Sequence, residues 1–141
     1  MSEIQPYLFF EGRCDEAIAL YRALLGAEVQ MLMRYGDNPE PPPPGFLPPG
    51  SESKVMHATL KIGASVLMAS DGMCSGQTGF KGFKLSYAAA DAAEAARVFQ
   101  GLAEGGSVEM PLAATFWSPC FGMLKDRFGL EWMVSVAAPQ G

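Results

Sequence analysis

The 141-residue sequence holds a single histidine, His57, and only three cysteines, Cys14, Cys74 and Cys120. One histidine excludes the two-histidine, one-carboxylate iron site within one chain. The cysteines form no CxxC pair and no zinc-type grouping with histidine. Their odd number and wide spacing read as reduced thiols, not as a disulfide framework. Basic residues are also few: ten Lys and Arg, scattered from Arg13 to Arg127, face fifteen Asp and Glu, for a net charge of -5. That excludes a sequence-independent grip on nucleic-acid phosphates, though not a small anionic ligand. No apolar run reaches the roughly 18 residues of a membrane helix. The opening Met-Ser-Glu-Ile-Gln-Pro has neither the basic start nor the apolar core of a signal peptide, so cytoplasm is the expected compartment.

What is present suits one globular domain, 1–141. Hydrophobic residues make up 49% and charged residues 18%, enough apolar material for a packed core without disulfides. Ile4 to Phe10 is an apolar, aromatic strand candidate, with Pro6 at its start or on an edge. Acidic residues then open a helix at 13–16, where they favour the macrodipole. Ala17, Leu20, Tyr21 and Leu24 follow at helical spacing, and Gly26 fits a left-handed stop. Ala27 to Arg34 reads as a second strand. Residues 37–53 break the pattern, with seven of the eleven prolines between Pro39 and Pro49. Neither a helix nor a central strand tolerates that, so the stretch is a long loop, partly polyproline-like. Such a loop is a lid, a docking segment or, more often, a tolerated surface insertion.

Lys54–Ile62 and Ser65–Ser70 form a hairpin across Gly63-Ala64. The glycine-rich stretch 71–81 reads as a linker between a first half, 1–70, and a second, 82–137. A phosphate-cradling role for it would need a helix directly after it, and a strand follows instead. Phe83–Ala88 is that strand. Asp91 caps a helix running to Glu104, with Ala95, Val98, Phe99 and Leu102 on one face. Gly105-Gly106 ends it. Strands follow at Val108–Ala113, Cys120–Lys125 and Leu130–Val136. The order is β-α-β-β-β twice, with equivalent points about 78 residues apart. The fold class is therefore α+β, two βαβββ modules forming a curved mixed sheet.

One helix covers one face of four strands and leaves the other open. Alternation assigns Met56, Ala58, Leu60 and Ile62 to the helix-facing side of their strand, and Val55, His57, Thr59 and Lys61 to the open side. In the last strand Leu130, Trp132, Val134 and Val136 face the helix, and Glu131, Met133 and Ser135 the open side.

Three stretches carry a family resemblance. Pro6-Tyr7-Leu8-Phe9-Phe10-Glu11-Gly12, with Glu16-Ala17-Ile18-Ala19-Leu20-Tyr21, is one. His57-Ala58-Thr59-Leu60-Lys61-Ile62-Gly63, ending in Met68-Ala69-Ser70-Asp71, is the second. The most specific is the run 116–132, from Phe116-Trp117-Ser118-Pro119 to Leu130-Glu131-Trp132. Together they resemble PhnB-like proteins of the vicinal-oxygen-chelate (glyoxalase/bleomycin resistance/dioxygenase) superfamily over nearly the whole chain. That family often carries the label 3-demethylubiquinone-9 3-methyltransferase, yet no glycine motif for the methyl donor follows a strand here. The resemblance implies a homodimer.

Metal-dependent members of the superfamily place His or Glu on the first and last strands of each half. The matching positions here fall near Gln5 or Pro6, Met68, Phe83 or Lys84, and Met133, none a good ligand for a hard cation. A divalent ion held by His57, Glu131 and Glu11 is the alternative to a metal-free, cofactor-free protein. His57 suits a general acid/base near neutral pH, although a lone histidine is also often structural. The expected ligand pocket comprises Thr59, Lys61, Lys84, Trp117, Phe121, Glu131 and Met133. Lys61 and Lys84 would meet an anion, and Trp117 and Phe121 a planar ring. Cys14 near a helix start could have a lowered pKa, although buried cysteines are usually inert. Ser70, His57 and Asp71 supply a hydrolase triad on paper, without geometry to support it. Two functions follow. One is a metal-free protein holding a small, partly apolar molecule. The other is an enzyme on a small carbonyl or phosphonate-like substrate, using His57 or an unusual metal site.

Overall fold

The computed structural model describes residues 2–137. The chain divides between Thr78 and Gly79 into two compact units. The first contains β1 (Tyr7–Phe9), α1 (Cys14–Leu25), β2 (Glu28–Arg34), β3 (Val55–Ile62) and β4 (Ser65–Ser70). Its strands lie in the order β1-β4-β3-β2. Strand β1 runs parallel to β4, and the other neighbours are antiparallel. The second unit repeats the plan with β5 (Leu85–Ala89), α2 (Ala92–Ala103), β6 (Ser107–Ala113), β7 (Cys120–Lys125) and β8 (Glu131–Val136), in the order β5-β8-β7-β6. This is the doubled βαβββ order that the sequence predicts, and each module closes its own four-stranded mixed sheet. Among the described residues, no helix is long and apolar enough to cross a membrane.

Strand β1 is shorter than the predicted Ile4–Phe10. Pro6 has no N–H to give, so it cannot extend the ladder, but its carbonyl still accepts from the Met68 amide at 2.9 Å. Helix α1 ends at Gly26, whose φ of 68° puts it in the left-handed region. The helix buries Cys14, Ala17, Ile18, Tyr21 and Leu25, while Leu20 and Leu24 are half-buried. The buried stripe is thus turned by one residue from the predicted one. No side chain caps α1 from Arg13, the residue before it. Asp71, from the far end of β4, accepts the Cys14 amide instead, at 2.8 Å. Helix α2 matches its prediction: Asp91 accepts the Glu94 amide at 2.8 Å, and Ala95, Val98, Phe99 and Leu102 are buried.

The predicted alternation holds in β8, where Trp132 and Val134 are buried and Glu131, Met133 and Ser135 are half-exposed. It fails at the start of β3. Val55, assigned to the open side, is fully buried. Its neighbour pairing explains why: His57 pairs with Met33 and Val55 with Arg34, so Met56 is an extra residue against β2. A bulge of this kind resets which side chains share a face. Fully buried Leu60, Leu102, Leu124 and Leu130 anchor the two cores, each contributing about 1.5–3 kcal/mol of burial.

Candidate functional site

The open face of the first sheet carries two cross-strand rows. Tyr7 pairs with Met68, Met68 with Thr59, and Thr59 with Met31. Beside that row, Phe9 pairs with Ser70 and His57 with Met33. His57 therefore sits among aromatic and methionine side chains. Its Nδ1 lies 2.8 Å from the Tyr7 hydroxyl and its Nε2 3.1 Å from the Thr59 hydroxyl. A neutral imidazole donates from one nitrogen and accepts at the other, so it orders these two hydroxyls in opposite senses. The Tyr7 ring stacks on Phe9, with centroids 4.8 Å apart and planes 7° from parallel. Burial raises the Tyr7 phenol above its ordinary value, while a hydrogen bond with Ser70 pulls the other way. Tyr7 thus stays a hydroxyl donor well beyond neutral pH. Lys61 is exposed at the end of its strand, opposite Glu28 and Val66.

Tyr7 and Phe9 were not among the site residues expected from the sequence. The signal was there: Leu8 and Phe10 are buried and Tyr7 and Phe9 exposed, the same alternation that placed His57. What the alternation cannot reveal is that Tyr7 meets His57, because β1 and β3 do not pair directly.

The paper triad does not form. Asp71 is fully buried and accepts from the backbone amides of Gly12, Cys14 and Val55, each at 2.8 Å. The His57 nitrogens face Tyr7 and Thr59. Cys14 also departs from the possibility of a lowered pKa. Burial pushes its thiol far up, and the nearby Asp71 and Asp15 charges push the same way. A helix N-terminus does not overcome that desolvation.

In the second unit, Lys84 lies just ahead of β5, not within the strand as predicted. Its Nζ is 3.1 Å from Glu131 and 3.6 Å from Glu109. The hydrogen bond from Lys84 holds Glu131 below the usual carboxylate range, with Glu109 acting in the same direction. Burial pulls Lys84 down, but the bond to Glu131 and the charges of Glu109 and Glu131 outweigh it and hold the ammonium up. Met133 pairs with Met123, and Met123 with Met110, a half-buried thioether row. Phe121 is buried, with the Trp117 ring edge-on at 5.3 Å and Phe116 edge-on to Trp117 at 4.7 Å. Of the two rings expected to meet a ligand, Trp117 is about half exposed and Phe121 is covered, while the neighbouring Phe116 is almost fully exposed.

The family model described as 3-demethylubiquinone-9 3-methyltransferase matches residues 2–135. The chain belongs to this PhnB-like family. It is 37% identical over 144 residues to Protein YjdN of Escherichia coli (strain K12), covering 97% of each. Protein PA1353 from Pseudomonas aeruginosa is 43% identical, with a TM-score of 0.83 over 97% of this chain and 98% of that one. A PhnB protein from Bacillus cereus is 30% identical, with a TM-score of 0.79 over 96% of this chain and 100% of that one. A glyoxylase/bleomycin resistance protein/dioxygenase domain from Frankia shares the fold at 14% identity and a TM-score of 0.63, covering 98% of this chain and 97% of that one.

The last-strand positions where the sequence resemblance would place metal ligands do not hold residues suited to a hard divalent cation. Met68 and Met133 occupy the expected last-strand positions, each paired across from a first-strand residue, Tyr7 and Ser86. Thioethers are soft, poor ligands for hard divalent cations. Glu131 is engaged by Lys84, and Glu11 accepts the Ser75 amide at 3.1 Å. Among the described residues, no three His, Cys, Asp or Glu side chains converge as a metal site requires.

Proposed function

We propose that this protein binds a small, partly apolar molecule on the open face of its first sheet, without a metal. The observation that carries this reading is the Tyr7–His57–Thr59 chain of hydrogen bonds beside the Tyr7–Phe9 stack. Ligand sites typically combine an apolar lining with a few fixed polar groups, and this face offers both. Phe9, Met31 and Met68 supply the apolar surface. The Thr59 and Tyr7 hydroxyls, set by the imidazole between them, supply direction. Lys61 at one end would favour an acidic group on the ligand. The methyltransferase of the family's description does not extend to this chain. Its two strand-to-helix turns, Phe10-Glu11-Gly12-Arg13 and Ala90-Asp91, hold one glycine between them, short of a glycine-rich loop for the methyl donor's nucleotide.

A second reading makes the 2.8 Å Tyr7–His57 contact a proton relay acting on a small carbonyl or phosphonate-like substrate. Both ring nitrogens already have hydroxyl partners, which favours binding over catalysis. Native mass spectrometry and elemental analysis of untagged protein separate the possibilities. A bound organic mass and no divalent metal are expected, with the mass lost in His57→Ala and Tyr7→Phe. Near-stoichiometric metal that disappears in His57→Ala would overturn the metal-free reading.

A further inference from the structure

The proline-rich loop is fastened at both ends. The Tyr35 amide donates to the Lys54 carbonyl at 3.0 Å, and the Arg34 guanidinium reaches the Ser53 carbonyl at 2.7 Å. Between these ends the loop encloses a cleft of about 730 Å³, within the ordinary range of small-molecule sites. Its walls are five prolines together with Tyr35, Phe46, Leu47 and Met73. Phe46 and Met73 leave about half their surface open to solvent.

The polar groups of this cleft are one-sided. Proline presents a carbonyl but no N–H. Three of its donors are engaged within the loop and its base. The Phe46 amide donates to Pro43, the Ser51 hydroxyl to Pro48 and the Tyr35 hydroxyl to Gly72, in each case to a backbone carbonyl. No Lys, Arg or His lines the cleft, and Glu52 brings a carboxylate. The site therefore offers acceptors, negative charge and aromatic faces. An anion would meet repulsion and find no cationic partner. A cation over the faces of Phe46 or Tyr35 would gain from both the ring quadrupole and the Glu52 charge.

We propose that the cleft under the proline-rich loop is a second binding site, selective for an aromatic ring carrying an ammonium group. It is independent of the His57 face and does not require that face to bind anything. The acceptor-rich, acidic lining also separates it from the anionic ligand that Lys61 would favour.

Calorimetric titration of the full chain with naphthylmethylammonium and with naphthoate, equal rings of opposite charge, tests the proposal. The ammonium is expected to bind about tenfold tighter than the carboxylate. Glu52→Gln should shrink that preference to about threefold or less, and Phe46→Ala should weaken ammonium binding about fivefold or more. Both side chains are exposed, so the melting temperatures of the two variants should stay at the wild-type value. His57→Ala should leave ammonium binding unchanged. No binding of either probe, or a wild-type preference under about threefold, overturns the proposal. So does ammonium binding that is lost in His57→Ala but kept in Phe46→Ala, a result that would assign the probe to the His57 face.

Discussion

The carboxylate of Asp71 joins three parts of the first unit. Oδ1 accepts the amides of Gly12 and Cys14, which turn the chain into α1, and Oδ2 accepts the Val55 amide that opens β3. Those partners lie 59, 57 and 16 residues away in the chain. Asp71 is fully buried. Asp71→Ala leaves the buried Cys14 and Val55 amides and the part-buried Gly12 amide without their acceptor, and a loss of about 3–5 kcal/mol is expected. Asp71→Asn keeps one carbonyl oxygen for Gly12 and Cys14 but points an NH2 at the Val55 amide, for a loss of about 1–3 kcal/mol. Urea unfolding measures both, and equal losses in the two variants would refute this division of labour. In the sequence Asp71 reads as the first residue of a linker, because nothing local marks a residue whose partners are this distant. The site follows the same rule. Alternation places His57 and Thr59 on the open face, but Tyr7 is 50 residues away, and its contact exists only once β4 lies between β1 and β3.

At the scale of elements, the sequence was legible wherever the deciding interaction is local. Gly26 and Asp91 bound their helices through contacts within a few residues. The buried stripe of α2 and the faces of β8 follow from period alone. Legibility ends where an element is shaped by its neighbour. Pro6 sets the start of β1 through the ladder with β4, and the bulge opposite β2 turns Val55 inward. Gly122 is a further case. A Cβ at this position would stand 2.8 Å from the Phe99 ring of α2 and 2.9 Å from the Met110 carbonyl of β6. The glycine is thus the seat on which α2 and the irregular β6 both close over β7. Gly122→Ala is expected to cost about 1–3 kcal/mol by overpacking. Thermal melts should show the loss, and Phe99→Leu in the same chain should recover part of it by withdrawing the ring. A Gly122→Ala protein as stable as wild type would refute the close approach.

The whole molecule carries two opposed sets of shifted groups, and they give its stability a definite pH dependence. On the acid side, the hydrogen bond from Arg34 holds Asp15 low, and the bond from Lys84 holds Glu131 low. A depressed carboxylate stabilises the folded state above its unfolded pKa and loses that contribution as pH falls through the folded one. The Arg34–Asp15 pair is solvent-exposed and the Lys84–Glu131 pair only half-buried, so this limb should be shallow and weakened further by salt. On the alkaline side, burial raises Tyr7, Tyr35, Cys14 and Cys74, and raises Tyr87 to about 12. A raised pKa means that the unfolded chain releases its proton first. Stability is then full below the unfolded values, about 8.5 for cysteine and 10 for tyrosine, and falls as pH rises through the folded ones. Five groups act together here, so the alkaline limb should be the steeper. A fully buried group contributes about 1.4 kcal/mol per pH unit while its two states differ by one proton, and the partly exposed ones contribute less because solvent screens them. Cys14 is fully buried and should contribute that full slope. Unfolding free energies between about pH 9 and 11 should therefore decline more gently in Cys14→Ala than in wild type, by about 1.4 kcal/mol per pH unit. The slope is read independently of any packing loss at neutral pH. Parallel declines in the two proteins would show that Cys14 does not hold its proton in the folded state.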